Sequence, residues 1–112
     1  MMRGRGRWRR RCWGNYQNQF LVAFTGIRWA ILRAIGNGQK STSEIYSELV
    51  ASHGDMPRSL LYYHLGELEK MGIIEVVGYR ETGKGGAPEK IWRVTVRRIV
   101  IDILSGQILM ER

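Results

Sequence analysis

The 112-residue sequence contains a single cysteine and two histidines, and this scarcity excludes several kinds of chemistry. With Cys12 alone, no disulfide can form within the chain, so a reducing compartment is expected. His53 and His64 do not combine with Cys12 in the spacing of a metal site. The sequence therefore predicts no metal and no cofactor, and the two histidines are expected to be structural or to make polar contacts.

Motifs for nucleophilic catalysis and phosphate transfer are also absent. Residues 83–86 read GKGG, but they lie between predicted strands and lack the GxxxxGK[ST] order of a P-loop. No Ser/His/Asp set lies in a strand–turn–helix context. No apolar run is long enough to cross a bilayer. We therefore expect a cytoplasmic protein that is not an enzyme and does not enter the membrane.

Positive charge is plentiful and unevenly distributed. The net charge is +8 and the isoelectric point is near 10.3, which favours an anionic partner. Residues 1–19 contain six arginines and no acid, mixed with glycine, asparagine and tryptophan. This composition predicts a flexible arm that contacts nucleic acid, or one that only solubilises the domain or docks its tryptophans on the fold. The candidate contacts in the arm are Arg7, Arg9, Arg10 and Arg11.

Residues 20–35 predict a first helix. Their apolar residues recur with helical spacing, Arg28 is expected to face away from the apolar stripe, and the helix can break near Gly26. The run Gly36-Asn37-Gly38 should end it. The residues expected on the buried face are Ile27, Ile31, Ala34 and Ile35.

A second helix should begin at a capping box. Ser41 and Glu44 have the required spacing of three, and a helix is predicted from there to about Ser52, with Ile45 and Leu49 inward. Residues 53–55 make a turn before the next helical segment. Helix, short turn and helix together form a helix-turn-helix.

The third helix, predicted from Pro57 to Met71, has the features of a recognition helix. Proline suits a first helical turn, and Gly72 suits a left-handed C-terminal position. One face is apolar. The acids come only in the C-terminal half, so the other face is acid-free near the N-terminus, as insertion into a DNA major groove requires. The candidate contacts on this helix are Arg58, Ser59, Tyr62, Tyr63 and His64.

The chain after Gly72 changes to β-rich segments. Residues 73–77 and 90–96 predict two strands, and the glycine-rich residues 80–89 between them predict a hairpin loop. A basic hairpin directly behind a helix-turn-helix is a wing, whose cations can hold a phosphate or enter the minor groove. The candidate contacts here are Arg80, Lys84 and Lys90.

Residues 97–110 fit two structures. Val96, Ile99, Val100 and Ile103 fit one face of a helix, and the same β-branched density fits a strand. A helix that ends or is interrupted near Gly106 is the preferred prediction. It would expose more apolar surface than one small domain covers, which suggests a dimer interface.

Two segments, PRSLLYYHLGELEKMGIIEV and GKGGAPEKIWRVT, resemble winged-helix repressors of the ArsR type and their archaeal relatives. The resemblance spans about residues 27–95 and implies a homodimer that binds operator DNA, with Arg58, Ser59, Tyr62 and Tyr63 facing the groove. The cysteine pairs of the family's metal sensors are missing. The residues that carry the resemblance are Tyr63, His64, Leu65, Leu68, Glu69, Gly72 and Ile73 in the helix, and Gly86, Ala87, Pro88, Trp92, Arg93, Val94 and Thr95 in the hairpin.

The sequence thus predicts an α+β winged helix-turn-helix with a three-helix core and a β-hairpin wing. Residues 1–19 are the arm, residues 20–96 the DNA-binding domain and residues 97–112 a C-terminal dimerisation helix. The predicted function is sequence-specific binding of double-stranded DNA by a homodimeric transcriptional regulator. Two alternatives stay open: a non-specific nucleic-acid or chromatin protein driven by the arm, and a winged helix that binds other proteins.

Overall fold

The computed structural model describes residues 8–10, 26–83 and 85–112. These residues form three helices and six strands. No helix among them is long and apolar enough to cross a membrane. In chain order the elements are β1 (Trp8–Arg10), α1 (Gly26–Ile35), β2 (Gln39–Ser41), α2 (Thr42–His53), α3 (Arg58–Lys70), β3 (Ile74–Arg80), β4 (Glu89–Val94), β5 (Arg98–Asp102) and β6 (Gln107–Glu111).

Helix α1 buries an arginine that the sequence pattern placed in solvent. The helix occupies the predicted segment from Gly26 onward, and positions 20–25 lie outside the described residues. Ile31 and Ile35 are buried as predicted. Arg28 is buried too, with 6% of its surface exposed, so the prediction that it faces away was wrong. Its spacing of three and four residues from Ile31 and Leu32 places it on their stripe.

Helix α2 begins with the predicted capping box. The Ser41 hydroxyl accepts a hydrogen bond from the Glu44 N–H at 3.2 Å, and the Glu44 carboxylate accepts one from the Ser41 N–H at 2.8 Å. Ile45 and Leu49 are buried, as predicted. The capping box therefore fixes where the helix starts, and the buried pair fixes which face meets the core.

Helix α3 follows after a short turn and packs its leucines inward. Pro57 stands at the N-cap, just outside the first turn in which it was predicted, and its carbonyl accepts a hydrogen bond from the Leu60 N–H at 3.1 Å. Gly72 has φ of +77°, the left-handed conformation predicted for the end of this helix. The Ile73 N–H then reaches back to the Leu68 carbonyl at 3.1 Å. The buried leucines are Leu61, Leu65 and Leu68.

Strands β2, β4 and β3 form an antiparallel sheet in that order. The β3–β4 hairpin is the predicted wing, and its strands lie close to the predicted limits. Strand β2 was not predicted; it pairs Gln39 with Arg93 and Ser41 with Ile91, and so joins the start of α2 to the hairpin. The register of β3 against β4 shifts between Val76 and Gly78, which is the mark of a β-bulge.

The C-terminal residues form strands, so the predicted C-terminal helix was wrong. β5 and β6 pair antiparallel, and the turn between them is closed by Asp102, whose carboxylate accepts hydrogen bonds from the N–H groups of Leu104 and Ser105 at 3.1 and 3.2 Å. The run Ile99-Val100-Ile101 favours a strand because β-branched side chains crowd a helix. Ile103, which a helix would bury, is 86% exposed.

Part of the predicted arm is regular structure. Residues 8–10 form β1, which pairs antiparallel with β6 and completes a second sheet in the order β1-β6-β5. These three residues thus form a paired strand within the segment predicted as a flexible arm. Residues 1–7 and 11–19 of the predicted arm lie outside the described residues.

One buried cluster connects the helices with both sheets. Trp92 on β4 lies inside it, and its indole N–H donates to the Thr42 hydroxyl at 3.0 Å, which ties the hairpin to the start of α2. Ile108 and Met110 bring β6 into the same cluster. The buried members are Ile31, Leu32, Ile35, Ile45, Leu49, Leu61, Leu65, Leu68, Met71, Ile73, Ile74, Trp92, Val96, Ile108 and Met110.

Candidate nucleic-acid interface

The N-terminal half of α3 presents an exposed polar surface, which we call the reading face: Arg58, Ser59, Tyr62 and Tyr63. All four residues are exposed, and the two tyrosines keep 54% and 57% of their surface in solvent. None is acidic. The opposite side of the same helix buries Leu61, Leu65 and Leu68, so the reading face is turned away from the core. The helix thus offers donors, acceptors and stacking rings to a partner.

Arg58 is held in place by a tyrosine of α2. Its guanidinium carbon lies 4.3 Å from the centre of the Tyr46 ring, a cation–π contact. The Tyr46 hydroxyl donates a hydrogen bond to the Met56 carbonyl at 2.7 Å, in the segment that joins α2 to α3. Tyr46 therefore fixes both the turn of the helix-turn-helix and the first side chain of the reading face.

His64 is bonded to the buried Arg28 of α1. Arg28 Nε donates to His64 Nδ1 at 3.0 Å, and its guanidinium carbon lies 5.8 Å from the centre of the Tyr63 ring. Because a guanidinium only donates, Nδ1 must be unprotonated, and the neutral imidazole carries its proton on Nε2. Burial lowers the pKa of His64, the nearby charge of Arg28 lowers it further, and Glu67 opposes both. Its Nδ1 is thus occupied within the molecule, and only Nε2 remains for a contact with DNA.

The base of the wing is attached to the start of α2. The Ser43 N–H donates to the Glu89 carboxylate at 2.8 Å, and the Thr42 hydroxyl donates to the Lys90 carbonyl at 3.3 Å. Both contacts join the first turn of α2 to the first residues of β4. The orientation of the hairpin is therefore coupled to the helix-turn-helix rather than set by the loop alone.

The predicted cations of the wing differ in what they contact. Arg80 is paired with Glu89 across the hairpin at 3.0 Å. Burial alone would raise the pKa of Glu89, but hydrogen bonds from Ser43 and Arg80 outweigh it and lower the pKa to about 2. Lys90 is exposed at the base, with Nζ 5.6 Å from the Trp92 ring centre. Lys84 lies outside the described residues.

The candidate contacts in the arm are described only in part. Arg9 and Arg10 lie on β1, opposite Met110 and Leu109 of β6. Arg7 and Arg11 lie outside the described residues. The backbone of two of the four arginines is therefore anchored to the second sheet.

Arg28 and Tyr46 contact residues at or beside the reading face, and neither role was predicted from the sequence. For Arg28 a signal existed: it keeps the spacing of the buried stripe, and a charge on such a stripe suggests a buried polar partner. For Tyr46 there was none, because its contacts with Met56 and Arg58 depend on how α2 and α3 cross. Among the described residues no group of three or more His, Cys, Asp or Glu side chains is placed to hold a metal ion.

Three helices followed by an antiparallel hairpin that is tied to the second of them define an α+β winged helix, as predicted. Residues 26–77 match the family model of a helix-turn-helix domain, slightly less than half of the chain. The match supports DNA binding as the class of function. No significant match exists among curated proteins or among solved structures.

Proposed function

We propose that this protein is a transcriptional regulator that binds double-stranded DNA sequence-specifically as a homodimer. In this proposal α3 enters the major groove with its N-terminal half, and the wing contacts the minor groove or the adjacent backbone. The single observation that carries the proposal is the reading face, because it is exposed, acid-free and located on the second helix of a helix-turn-helix.

Arg58 is the residue we assign to base recognition. It is exposed at the first position of α3, and recognition helices contact base edges with their N-terminal residues. Arginine pairs bidentately with guanine O6 and N7, which contributes about 1–3 kcal/mol of discrimination. The contact with Tyr46 restricts the guanidinium before DNA arrives, so less side-chain entropy is lost on binding.

The test compares Arg58→Ala with Lys70→Ala. Both variants remove one exposed cation from the same helix, but Lys70 lies at the far end, beside Glu67. A duplex selected from random sequence and an unrelated duplex are titrated with each variant. We expect Arg58→Ala to lose about 5- to 150-fold in affinity for the selected site and much less for the unrelated duplex. Equal losses on both duplexes would remove the specificity claim.

The wing is proposed to contribute through its lysines. Arg80 is already neutralised by Glu89, whereas Lys90 is exposed. Each phosphate contact removed should lower the slope of log affinity against log salt by about 0.9. Lys90→Gln is therefore expected to flatten the salt dependence on every duplex alike, and an unchanged slope would assign no phosphate to Lys90.

A non-specific protein driven by the arm is the competing proposal, and the second sheet changes how it is tested. Deleting the arm would also remove β1, the partner of β6. Replacing Arg3, Arg5 and Arg7 by glutamine leaves β1 in place. If those three changes abolish binding and no preferred site emerges in a selection, the arm-driven function replaces ours. Failure to bind any duplex at low salt would instead favour a protein-interaction module.

We include four further points in the proposal. The first is the resemblance to ArsR-type and archaeal repressors, which is supported by the winged-helix architecture of the described residues between 27 and 95. We place its action in the cytoplasm, a reducing compartment that suits a chain with a single cysteine. We assign dimerisation to residues 97–112, which form a hairpin of two strands and not the expected helix. No catalytic activity is expected.

A further inference from the structure

Strand β5 lies at the edge of a sheet and leads into an apolar turn. In the order β1-β6-β5 no described residue pairs with its outer edge. Ile101 near its end is 44% exposed, and in the turn Ile103 and Leu104 are 86% and 98% exposed. Unpaired strand edges are templates for association, and exposed apolar residues clustered beside one mark an interaction surface.

The sequence of β5 is complementary to itself. It reads RIVID, with a cation at one end, an acid at the other and valine at the centre. When two such strands pair antiparallel about Val100, Arg98 lies opposite the partner's Asp102, and Ile99 lies opposite the partner's Ile101. Opposite charges and β-branched pairs in directly opposed positions both stabilise a sheet. With a two-fold axis through Val100, each of the five residues of β5 therefore lies opposite a complementary residue of the partner.

We propose that two copies of the chain associate through β5 and join their second sheets into one continuous antiparallel sheet. Such an interface is isologous, since each copy offers the same strand to the other. Directly opposed residues share a face, so Ile99 and Ile101 of both copies lie on one side of the joined sheet, the side of Met110 and Ile108. In this register the end of β5 that leads into the turn lies beside the start of the partner's β5, so the exposed Ile103 and Leu104 adjoin the interface.

The contacts that Arg98 and Asp102 make within the chain are compatible with this pairing. Arg98 Nε donates to Glu111 Oε1 at 2.8 Å, and a guanidinium can serve a carboxylate on each side. Asp102 accepts two backbone hydrogen bonds through Oδ1, and a carboxylate has two oxygens. The proposal rests on the homodimer of the proposed function and specifies which surface forms it.

The test uses two single charge reversals on the full-length chain, studied without DNA by sedimentation velocity. Asp102→Lys opposes two cations in its own homodimer, and Arg98→Glu opposes two anions, so each should dimerise about tenfold more weakly than the unmodified chain. Because the Asp102 carboxylate also accepts the backbone hydrogen bonds of the turn, Asp102→Asn, which keeps an acceptor oxygen, is measured beside Asp102→Lys and should also weaken dimerisation. Mixed in equal amounts, the two charge reversals place opposite charges at both ends of the strand pair, and dimers should return. Arg112→Glu, an exposed reversal outside β5, is the control and should dimerise normally.

A second variant addresses the turn without changing the strand. Ile103→Ser combined with Leu104→Ser replaces side chains that are in solvent, so the fold is kept while dimerisation should weaken. Three outcomes would overturn the proposal. The unmodified chain could be a monomer, all these variants could leave the dimer intact, or the mixture of the two charge reversals could fail to restore dimers. The outcome is separable from DNA binding: a monomer that binds a specific duplex overturns only this interface, whereas a β5 dimer that binds no duplex overturns only the regulator function.

Discussion

Replacing Arg28 by methionine tests whether this buried cation behind α3 mainly stabilises the fold or mainly sets the protonation state of His64. The variant keeps a chain of similar length and removes the guanidinium. A hydrogen bond to a charged group contributes about 1.5–3 kcal/mol, and the bond to His64 would be lost. Against this, Nη1 is buried with no hydrogen-bond partner among the described residues, a defect that costs about 1–3 kcal/mol. Because the two terms are similar and opposite, the free energy of unfolding should change by no more than about 2 kcal/mol.

The same variant should raise the pKa of His64. Burial lowers this pKa first and the charge of Arg28 second, and the variant removes the second cause. Because the folded pKa lies below the unfolded value, the neutral imidazole contributes stability that is complete above the ordinary pKa of 6.5 and is lost as the pH falls through the folded pKa. Without Arg28 this loss on acidification should be smaller.

The assay combines an NMR titration of the His64 ring with urea unfolding at neutral and mildly acidic pH. Arg33→Met is the matched control, since it removes an exposed arginine from the same helix. It should leave the titration of His64 nearly unchanged. A destabilisation by Arg28→Met of more than about 3 kcal/mol, or an unmoved His64 titration, would refute the reasoning.

Three further predictions concern the scaffold, all read out by urea unfolding. Ser41→Ala removes the capping box and should destabilise the fold by about 0.5–2 kcal/mol, whereas Ser47→Ala, on the exposed side of α2, should have little effect. Leu65→Ala, at a 2% exposed position, should cost about 2–5 kcal/mol, and the 39% exposed Leu60 clearly less. Glu89 has its pKa lowered from 4.5 to about 2, so its stabilisation should be complete above pH 4.5 and lost as the pH falls toward 2; Glu89→Gln should lower stability at neutral pH and flatten that acid dependence.

Elements with strong local signals were predictable from the sequence. The capping box at Ser41 and the left-handed end at Gly72 are contained within a few residues, so the limits of α2 and α3 followed. Strand β2 was not predictable, because three residues have no periodicity and pair only through β4. The C-terminal hairpin was ambiguous because β-branched residues spaced to suit a helix face also suit a strand. The turn that Asp102 closes favours the hairpin over the helix, and its hydrogen bonds could not be predicted from the spacing of apolar residues.

The reading face was predictable because a buried leucine stripe determines what lies opposite it. The contacts that modify the site were not. Arg80 faces Glu89 only in the cross-strand register of the hairpin, and that register follows a bulge. Arg28 meets His64 only through the crossing of α1 with α3. Arg28 was expected to face away from the core and Arg80 to contact DNA, whereas long-range packing gives each arginine a partner within the protein.

The most direct test of the central claim is a methylation-interference experiment on the selected DNA site. Dimethyl sulfate methylates guanine N7 in the major groove and adenine N3 in the minor groove, so one reaction reports on both. If the N-terminal half of α3 reads base edges, methyl groups at guanine N7 within the site should block binding. For Arg58→Ala, methylation of the guanine that Arg58 contacts should no longer weaken binding. Interference confined to adenine N3, or none at any base, would contradict the account.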